Sequence, residues 1–325
     1  MAIIITTNRN SSFMNGKIYI TGADGFIGSH LVEKALKYGL EVIAHCRNQP
    51  RRIPPYLQDK CKIVIGDIRS RENLKGISEC DAVYHLAAMS FVPRSIEDPF
   101  TALDVNFKGT FNVLDAIRGS NTRIIFASTS HVYGIPQYLP IDEKHPLEPT
   151  TPYGASKLAA DRLVRAFGEC YGIPYVILRL FNIYGPKQDY HFIIPTIIRQ
   201  CLDERRVVLG NGLAVRDFLH VDDLTNLLLI CLNSESAKNN TFNVGSGNTI
   251  TIQALAKKIM KIASLEGEPI FDISKARKND IPQLTVNFDK IKNALPWKPK
   301  ISLHDGLNAT FQAYAHENSN LWVKT

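Results

Sequence analysis

The sequence lacks the features that hold small secreted domains together. Its six cysteines, Cys46, Cys61, Cys80, Cys170, Cys201 and Cys231, are scattered, and no C-x-x-C pair occurs. A disulfide framework and a zinc site are therefore not expected, no metal is assigned, and a reducing, cytoplasmic setting is the natural expectation. Long apolar runs are missing too. None approaches the ~20 residues that span a bilayer, so no membrane partner is expected. The opening Ala2-Ile3-Ile4-Ile5 is too short for a signal-peptide core and has no basic flank before it. Blocks of like charge are also absent. The formal net charge is +7, yet Lys and Arg are spread along the chain without an Arg-Gly or aromatic-basic repeat. That distribution argues against nucleic acid as a partner. It suits an anionic small substrate, such as a diphosphate, steered into a cleft.

What remains is ordinary globular composition. Of 325 residues, 45% are hydrophobic and 21% charged, enough to bury a core without covalent or metal support. Residues 1–16, rich in Thr, Asn and Ser, read as a loose extension. From Lys17 onward, short β-branched runs alternate with amphipathic stretches. Strands are expected at 17–21, 41–46, 62–65, 81–88, 123–129 and 174–180. Helices are expected at 26–38, 100–118 and 153–171; in the first, Ile27, Leu31 and Ala35 share a face and Gly39 ends the turn. Nearly all-apolar strands alternating with helices predict an α/β fold, a doubly wound parallel sheet of Rossmann type, over 17–180. After Leu180 the alternation fails, and 181–325 reads mainly as a smaller C-terminal substrate-binding lobe. Residues 220–232 are expected to form a helix that packs back on the first domain.

Two local patterns carry chemistry. Thr21-Gly22-Ala23-Asp24-Gly25-Phe26-Ile27-Gly28 lies between the first strand and the first helix. There Gly22, Gly25 and Gly28 permit a tight turn, and the helix start, with Phe26 and Ile27, favours the pyrophosphate of a dinucleotide. At the end of the second strand a carboxylate would bond an NAD ribose. The chain instead reads Ala44-His45-Cys46-Arg47-Asn48, with Arg51 and Arg52 close behind. Arg47 therefore favours NADP over NAD as the cofactor. The second pattern is Tyr153 and Lys157, four apart and hence on one helix face. A free tyrosine has a pKa near ~10 and is a poor base at neutral pH. A neighbouring ammonium and a cationic nicotinamide would both lower it. Tyr153 would then exchange the proton of a sugar hydroxyl as hydride moves, with Thr129 orienting the same hydroxyl.

The motifs in order are TGADGFIGSHL, His85-Leu86-Ala87-Ala88, Ser128-Thr129-Ser130, Val132-Tyr133-Gly134 and Tyr153-Gly154-Ala155-Ser156-Lys157. Leu178 to Pro186, Arg216 to Leu224 and Asn243 to Gly247 follow. Together they resemble the extended short-chain dehydrogenase/reductase family of nucleotide-sugar epimerases, dehydratases and reductases, from Lys17 to about Leu307. The resemblance implies that Asp67 and Ile68 lie beside the adenine and Leu86, Ala87 and Ala88 under the cofactor backbone, with Asn106 in support. It also implies that Asn182, Arg216 and Arg277 hold the substrate diphosphate. Where many relatives read Arg-Pro-Gly-Asp, this chain reads Arg277-Lys278-Asn279-Asp280. The dehydratase relatives carry an acidic pair after the Thr, and this chain has Ser130-His131. His131 is therefore either an acid/base exchanging a proton beside a keto carbon or a wall of the pocket. The preferred expectation is an epimerase working by reversible hydride transfer at C4 of a nucleotide-diphosphate hexose, forming a homodimer through helices 100–118 and 153–171. An NADPH-dependent 4-keto-6-deoxyhexose reductase is the alternative, and a non-catalytic dinucleotide-binding scaffold is a remote one.

Overall fold

The structure, a computed structural model, describes residues 15–276 and 281–322. The expected extension as far as residue 14, and Arg277, lie outside the described residues. The first six strands are β1 (Lys17–Thr21), β2 (Glu41–Cys46), β3 (Lys62–Ile65), β4 (Ala82–His85), β5 (Arg123–Thr129) and β6 (Tyr175–Leu180). Six more follow: β7 (Asn182–Tyr184), β8 (Val208–Leu209), β9 (Val215–His220), β10 (Asn240–Val244), β11 (Thr249–Thr251) and β12 (Ile270–Phe271).

Seven of these form one sheet in the order β10-β6-β5-β4-β1-β2-β3, with every pair parallel. The alternation of side chains explains why the strands are apolar throughout. Ile18, Ile20, Val42, Ala44, Val176 and Leu178 fill the core on one face. Tyr19, Ile43, Val83, Ile124, Phe126 and Ile177 fill the core on the other. The strand order reverses between β1 and β4, which opens a crevice at their carboxyl ends, the place where such sheets receive ligands.

The helix Phe26–Lys37 buries Leu31, Val32 and Ala35 against the sheet. It ends as its sequence dictates. Gly39 takes φ +84°, its N–H bonds Leu36 O, and the N–H of Leu40 bonds Ala35 O. These two bonds make a Schellman stop, and glycine is favoured at its left-handed position. The helix Pro152–Tyr171 begins with Thr151, whose hydroxyl accepts the Gly154 N–H at 3.1 Å, and closes on left-handed Gly172.

Two elements differ from the sequence expectation. The strand expected at 81–88 stops at His85, because the Ala87 N–H finds the Thr21 side-chain oxygen at 3.3 Å instead of a strand partner. Residues 86–88 leave the sheet and line the crevice. The helix expected at 100–118 is broken into Pro99–Leu103, a π-helical turn Asp104–Lys108, and Gly109–Ile117. Within that stretch the Thr110 hydroxyl bonds Asn106 O at 2.6 Å.

Beyond β6 the chain builds a second layer. The three-stranded sheet β11-β9-β7 and the pair β12-β8 surround a separate apolar cluster that includes Ile197, Phe218, Leu255, Ile259 and Leu307. Between them the chain returns to the large sheet twice, as helix Val221–Asn233 and as edge strand β10. The helix is tied down by Tyr84 OH to Leu228 O at 3.1 Å and by Lys34 Nζ to Asp222 O at 2.9 Å. Among the described residues no helix is long and apolar enough to cross a membrane, and no group of three His, Cys, Asp or Glu is placed to hold a metal ion.

Candidate active site

A cavity of about 540 Å³ lies over the carboxyl ends of β1, β2, β4 and β5, a size suited to a small ligand or cofactor. It is lined by Gly22, Gly25, Phe26, Ile27, Gly28, Arg47, Asp67, Ile68, Leu86, Ala87, Ala88, Thr129, His131, Tyr153, Lys157 and Asn182. Residues far apart in sequence are thus gathered at one place. Ser130 and Phe218, which lie within quoted motifs, also line it, as do Gln188 and Phe192, which nothing local in the sequence marks because the second lobe brings them in.

The glycine turn fits a dinucleotide on the structure's own terms. Gly22 has φ +69°, and a Cβ there would sit 2.9 Å from the Ala87 backbone. At Gly28 a Cβ would be 2.2 Å from Gly22 O. The helix that follows has no side-chain cap and no acidic residue in its first turn. Its first N–H groups are therefore left for an anion, as a pyrophosphate requires. Asp24, within the turn, does a different task. Its Oδ1 accepts the N–H groups of Arg51, Arg52 and Ile53 at 2.8, 2.6 and 3.3 Å, fixing the loop after β2. Arg47 lines the cavity on that side. Asp67 is held by the Arg69 guanidinium at 2.9 and 3.0 Å, which keeps its carboxyl below the usual range.

The chemical centre is almost dry. Tyr153 is 8% exposed and Lys157 3%. The Tyr153 hydroxyl shares a hydrogen bond with Thr129, whose Oγ1 also accepts the His131 N–H at 3.3 Å. The His131 ring meets the Tyr153 ring edge-on at 5.6 Å. Lys157 lies over the Phe126 ring at 4.1 Å. Burial pushes the Tyr153 phenol up, against the Thr129 bond, and pushes the Lys157 ammonium down to about 7. Among the protein groups, desolvation raises the phenol and the Thr129 bond is what opposes it.

Positioning comes from a row of buried polar groups on the same helix. Tyr153, Lys157 and Asp161 follow at i, i+4 and i+8. Asp161 pairs with Arg179 at 3.0 Å and accepts the Ser128 hydroxyl at 2.9 Å. Arg179 Nη1 reaches the Tyr133 oxygen at 3.0 Å, and the Tyr133 hydroxyl donates to Asn243 Oδ1 at 2.6 Å. Asn106 does not line the cavity. Its amide bridges Met89 O at 3.1 Å and the Ser156 oxygen at 2.9 Å, so it braces the 86–91 loop against the catalytic helix. Arg216 also falls outside the lining; its Nη1 donates to Val215 O at 2.9 Å and to Pro282 O at 3.4 Å. His85, inside a motif, is structural: Thr21 and Thr110 bond its ring at 2.7 and 2.9 Å, and burial pushes its pKa down to about 3.

Comparison with known proteins agrees with this geometry. Residues 19–310 match the family described as GDP-mannose 4,6 dehydratase. The chain belongs to that family. It is thereby an enzyme of the extended short-chain dehydrogenase/reductase type, in its nucleotide-sugar epimerase and dehydratase group. A Methanocaldococcus jannaschii protein, provisionally named as a UDP-glucose 4-epimerase, is 34% identical over 298 residues, covering 89% of this chain and 95% of its own length. A dTDP-glucose 4,6-dehydratase of Streptomyces griseus is 30% identical over 320 residues, 95% of this chain and 97% of its own. The solved UDP-glucose 4-epimerase of Thermotoga maritima, determined with UDP-glucose, superposes with TM-score 0.86 at 29% identity, covering 94% of this chain and all of that one. The Thermus thermophilus UDP-glucose 4-epimerase, solved with NAD, gives 0.83 at 28% identity over 92% of this chain and 99% of its own.

Proposed function

We propose that this family member is an epimerase acting at C4 of a nucleotide-diphosphate hexose with a retained NAD(P) cofactor. The observation that carries the reading is the buried set Thr129, Tyr153 and Lys157 in one cavity with the glycine turn. Gly22, Gly25 and Gly28, with the uncapped helix start, would hold the pyrophosphate, and Leu86 to Ala88 would support the cofactor backbone. The bound nicotinamide supplies a site for the C4 hydride and a positive charge that favours a phenolate. Tyr153 then takes the sugar hydroxyl proton and later returns it, while Thr129 orients that hydroxyl. Lys157 stands one turn along the same helix face, and burial lowers its pKa to about 7, so both of its charge states are accessible near neutrality. Of the three residues that the resemblance implies hold the substrate diphosphate, Asn182 lines the cavity, Arg216 stands outside its lining and Arg277 lies outside the described residues. Ser130-His131 stands where dehydratase relatives carry their acidic pair, which favours epimerisation over dehydration. The solved relative holding UDP-glucose supports a uridine-diphosphate sugar as the substrate class.

A second reading, an NADPH-dependent reductase of 4-keto sugars, is favoured by Arg47 in the cavity lining without a carboxylate at the end of β2. The same arginine supports NADP over NAD as the cofactor. A homodimer is proposed because Phe100, Leu103, Phe107 and Phe111, spaced three or four apart along the stretch 99–117, are exposed apolar residues, with Phe100 77% exposed. Releasing the cofactor from purified protein by denaturation and identifying it separates the two enzymes. Near-stoichiometric bound cofactor is the epimerase outcome; a protein that arrives empty and consumes NADPH stoichiometrically refutes it.

A further inference from the structure

A second cavity, of about 620 Å³, lies at the far edge of the large sheet and shares no lining residue with the first. The helix Pro152–Tyr171 packs over β5 and β6, and β10 runs beyond it as the edge strand. The walls are loop 143–147, Arg162 and Arg165 of that helix, Tyr175 and Arg179 of β6, residues 239–241 and Lys290.

Its charge is one-sided. Lys144, Arg162, Arg165, Arg179 and Lys290 all face it, and the only carboxylate in the lining is Glu143. Glu143 Oε1 is engaged by the Asn243 N–H at 2.8 Å. Asp161 and Glu169, from outside the lining, pair with Arg179 and Arg165. Lys144 and Arg162 have no ion pair among the described residues, and Lys290 Nζ donates only to Thr241 O at 2.8 Å. Burial lowers the Lys290 ammonium; Glu143 opposes this, and Arg179 and Arg165 add to it. Cations held together in a concave site focus the field on an absent counter-charge. Guanidinium forks answer phosphate oxygens, and the cavity is sized for a small molecule rather than a polymer.

We propose that this edge cavity is a second anion site, taking a small phosphate-bearing molecule as an effector. The route to the catalytic helix is short. Arg179 at the site is the partner of Asp161, and Asp161 is the carboxylate that supports the Lys157 charge. A ligand that draws on Arg179 therefore alters how Asp161 serves Lys157.

The test titrates the enzyme with inorganic pyrophosphate by calorimetry, carrying only the cofactor it retains on purification and with no free nucleotide to compete at a phosphate site. One saturable site that depends on Arg162 and Lys290 is expected in the wild type. Its Kd should rise at least about tenfold, about 1.4 kcal/mol, in Arg162→Ala/Lys290→Ala. The charge-preserving Arg162→Lys/Lys290→Arg should keep it, and both variants should retain wild-type turnover without pyrophosphate. Glucose 6-phosphate, titrated in parallel, distinguishes a phosphomonoester from a diphosphate ligand; saturation by either, lost in the alanine variant, supports the site. Absence of saturable binding, an unchanged Kd in the alanine variant, or equal binding of sulfate would overturn it.

Discussion

Replacing Lys157 by methionine should remove turnover and, at mildly acidic pH, make the cofactor-free protein more stable than the wild type. Lys157 is 3% exposed, and burial moves its pKa from 10.5 to about 7. Between those values the unfolded chain binds one more proton than the native chain, so wild-type stability rises with pH across that window. Below about 7 the penalty of burying the ammonium is complete. A shift from 10.5 to about 7 corresponds to an upper limit of about 5 kcal/mol. Local relaxation and water entry reduce such penalties, so roughly 2–4 kcal/mol is expected at pH 6. Methionine is one atom shorter and gives up the ammonium over the Phe126 ring, but it fills the site with an uncharged chain whose own contribution does not vary with pH. The assay is urea unfolding of both proteins from pH 6 to pH 9. The gap in favour of methionine should narrow by roughly half over that range. A gap independent of pH, or a wild type that is the more stable protein at pH 6, refutes the reasoning.

Tyr153→Phe should lower kcat by about 10²–10⁴-fold while cofactor affinity, read by fluorescence titration, is nearly unchanged; retention of more than about a tenth of kcat would exclude Tyr153 as the acid/base. Arg47→Ala should lower kcat/KM for NADPH about tenfold and leave NADH nearly untouched, and an unaltered ratio would remove the case for NADP. In heavy water neither wild type nor His131→Asn should place deuterium on C3 or C5 of a 4-keto sugar nucleotide, and His131→Asn should change mainly KM. Incorporation by the wild type that disappears in the variant would make His131 a catalytic base. Phe100→Glu with Phe107→Glu should give a monomer by light scattering if the exposed stripe is the dimer face; a dimer that persists shifts the interface elsewhere.

The parts of the molecule legible in sequence are those whose cause is local. Gly22 and Gly28 are needed because neighbouring backbone leaves no room for a Cβ, and Tyr153 and Lys157 meet because a helix repeats nearly every four residues. Gly39 stops its helix through two bonds within six residues. What sequence spacing does not reveal depends on distant partners. Asp161 looks like any solvated helix acid until Arg179, on a strand, closes on it. Asp24 reads as filler in the glycine turn, yet it pins a loop 27 residues away. The π-helical turn that points Asn106 at Ser156 ends on Gly109, and a single glycine inside a helical pattern reads as a tolerated interruption rather than as a change of helix type. Arg216 carries a family motif and still lies outside the cavity lining. Strand β10 was not foreseen because Asn240 and Asn243 depress its β-propensity; pairing with β6 overrides that preference.

The return of the chain to β10 has a consequence for anyone altering the sugar preference of this enzyme. The second layer is not a terminal cassette, because it is made from stretches on either side of helix Val221–Asn233 and β10. Cutting after Leu180 would strip β6 of its outer neighbour and bare Val176 and Leu178 on a raw sheet edge, an invitation to aggregation. A graft that respects the fold would exchange the segments around 182–220 and 249–276 together with helix Leu303–Trp322, whose Leu307 and Phe311 belong to the same cluster, and leave β10 in place.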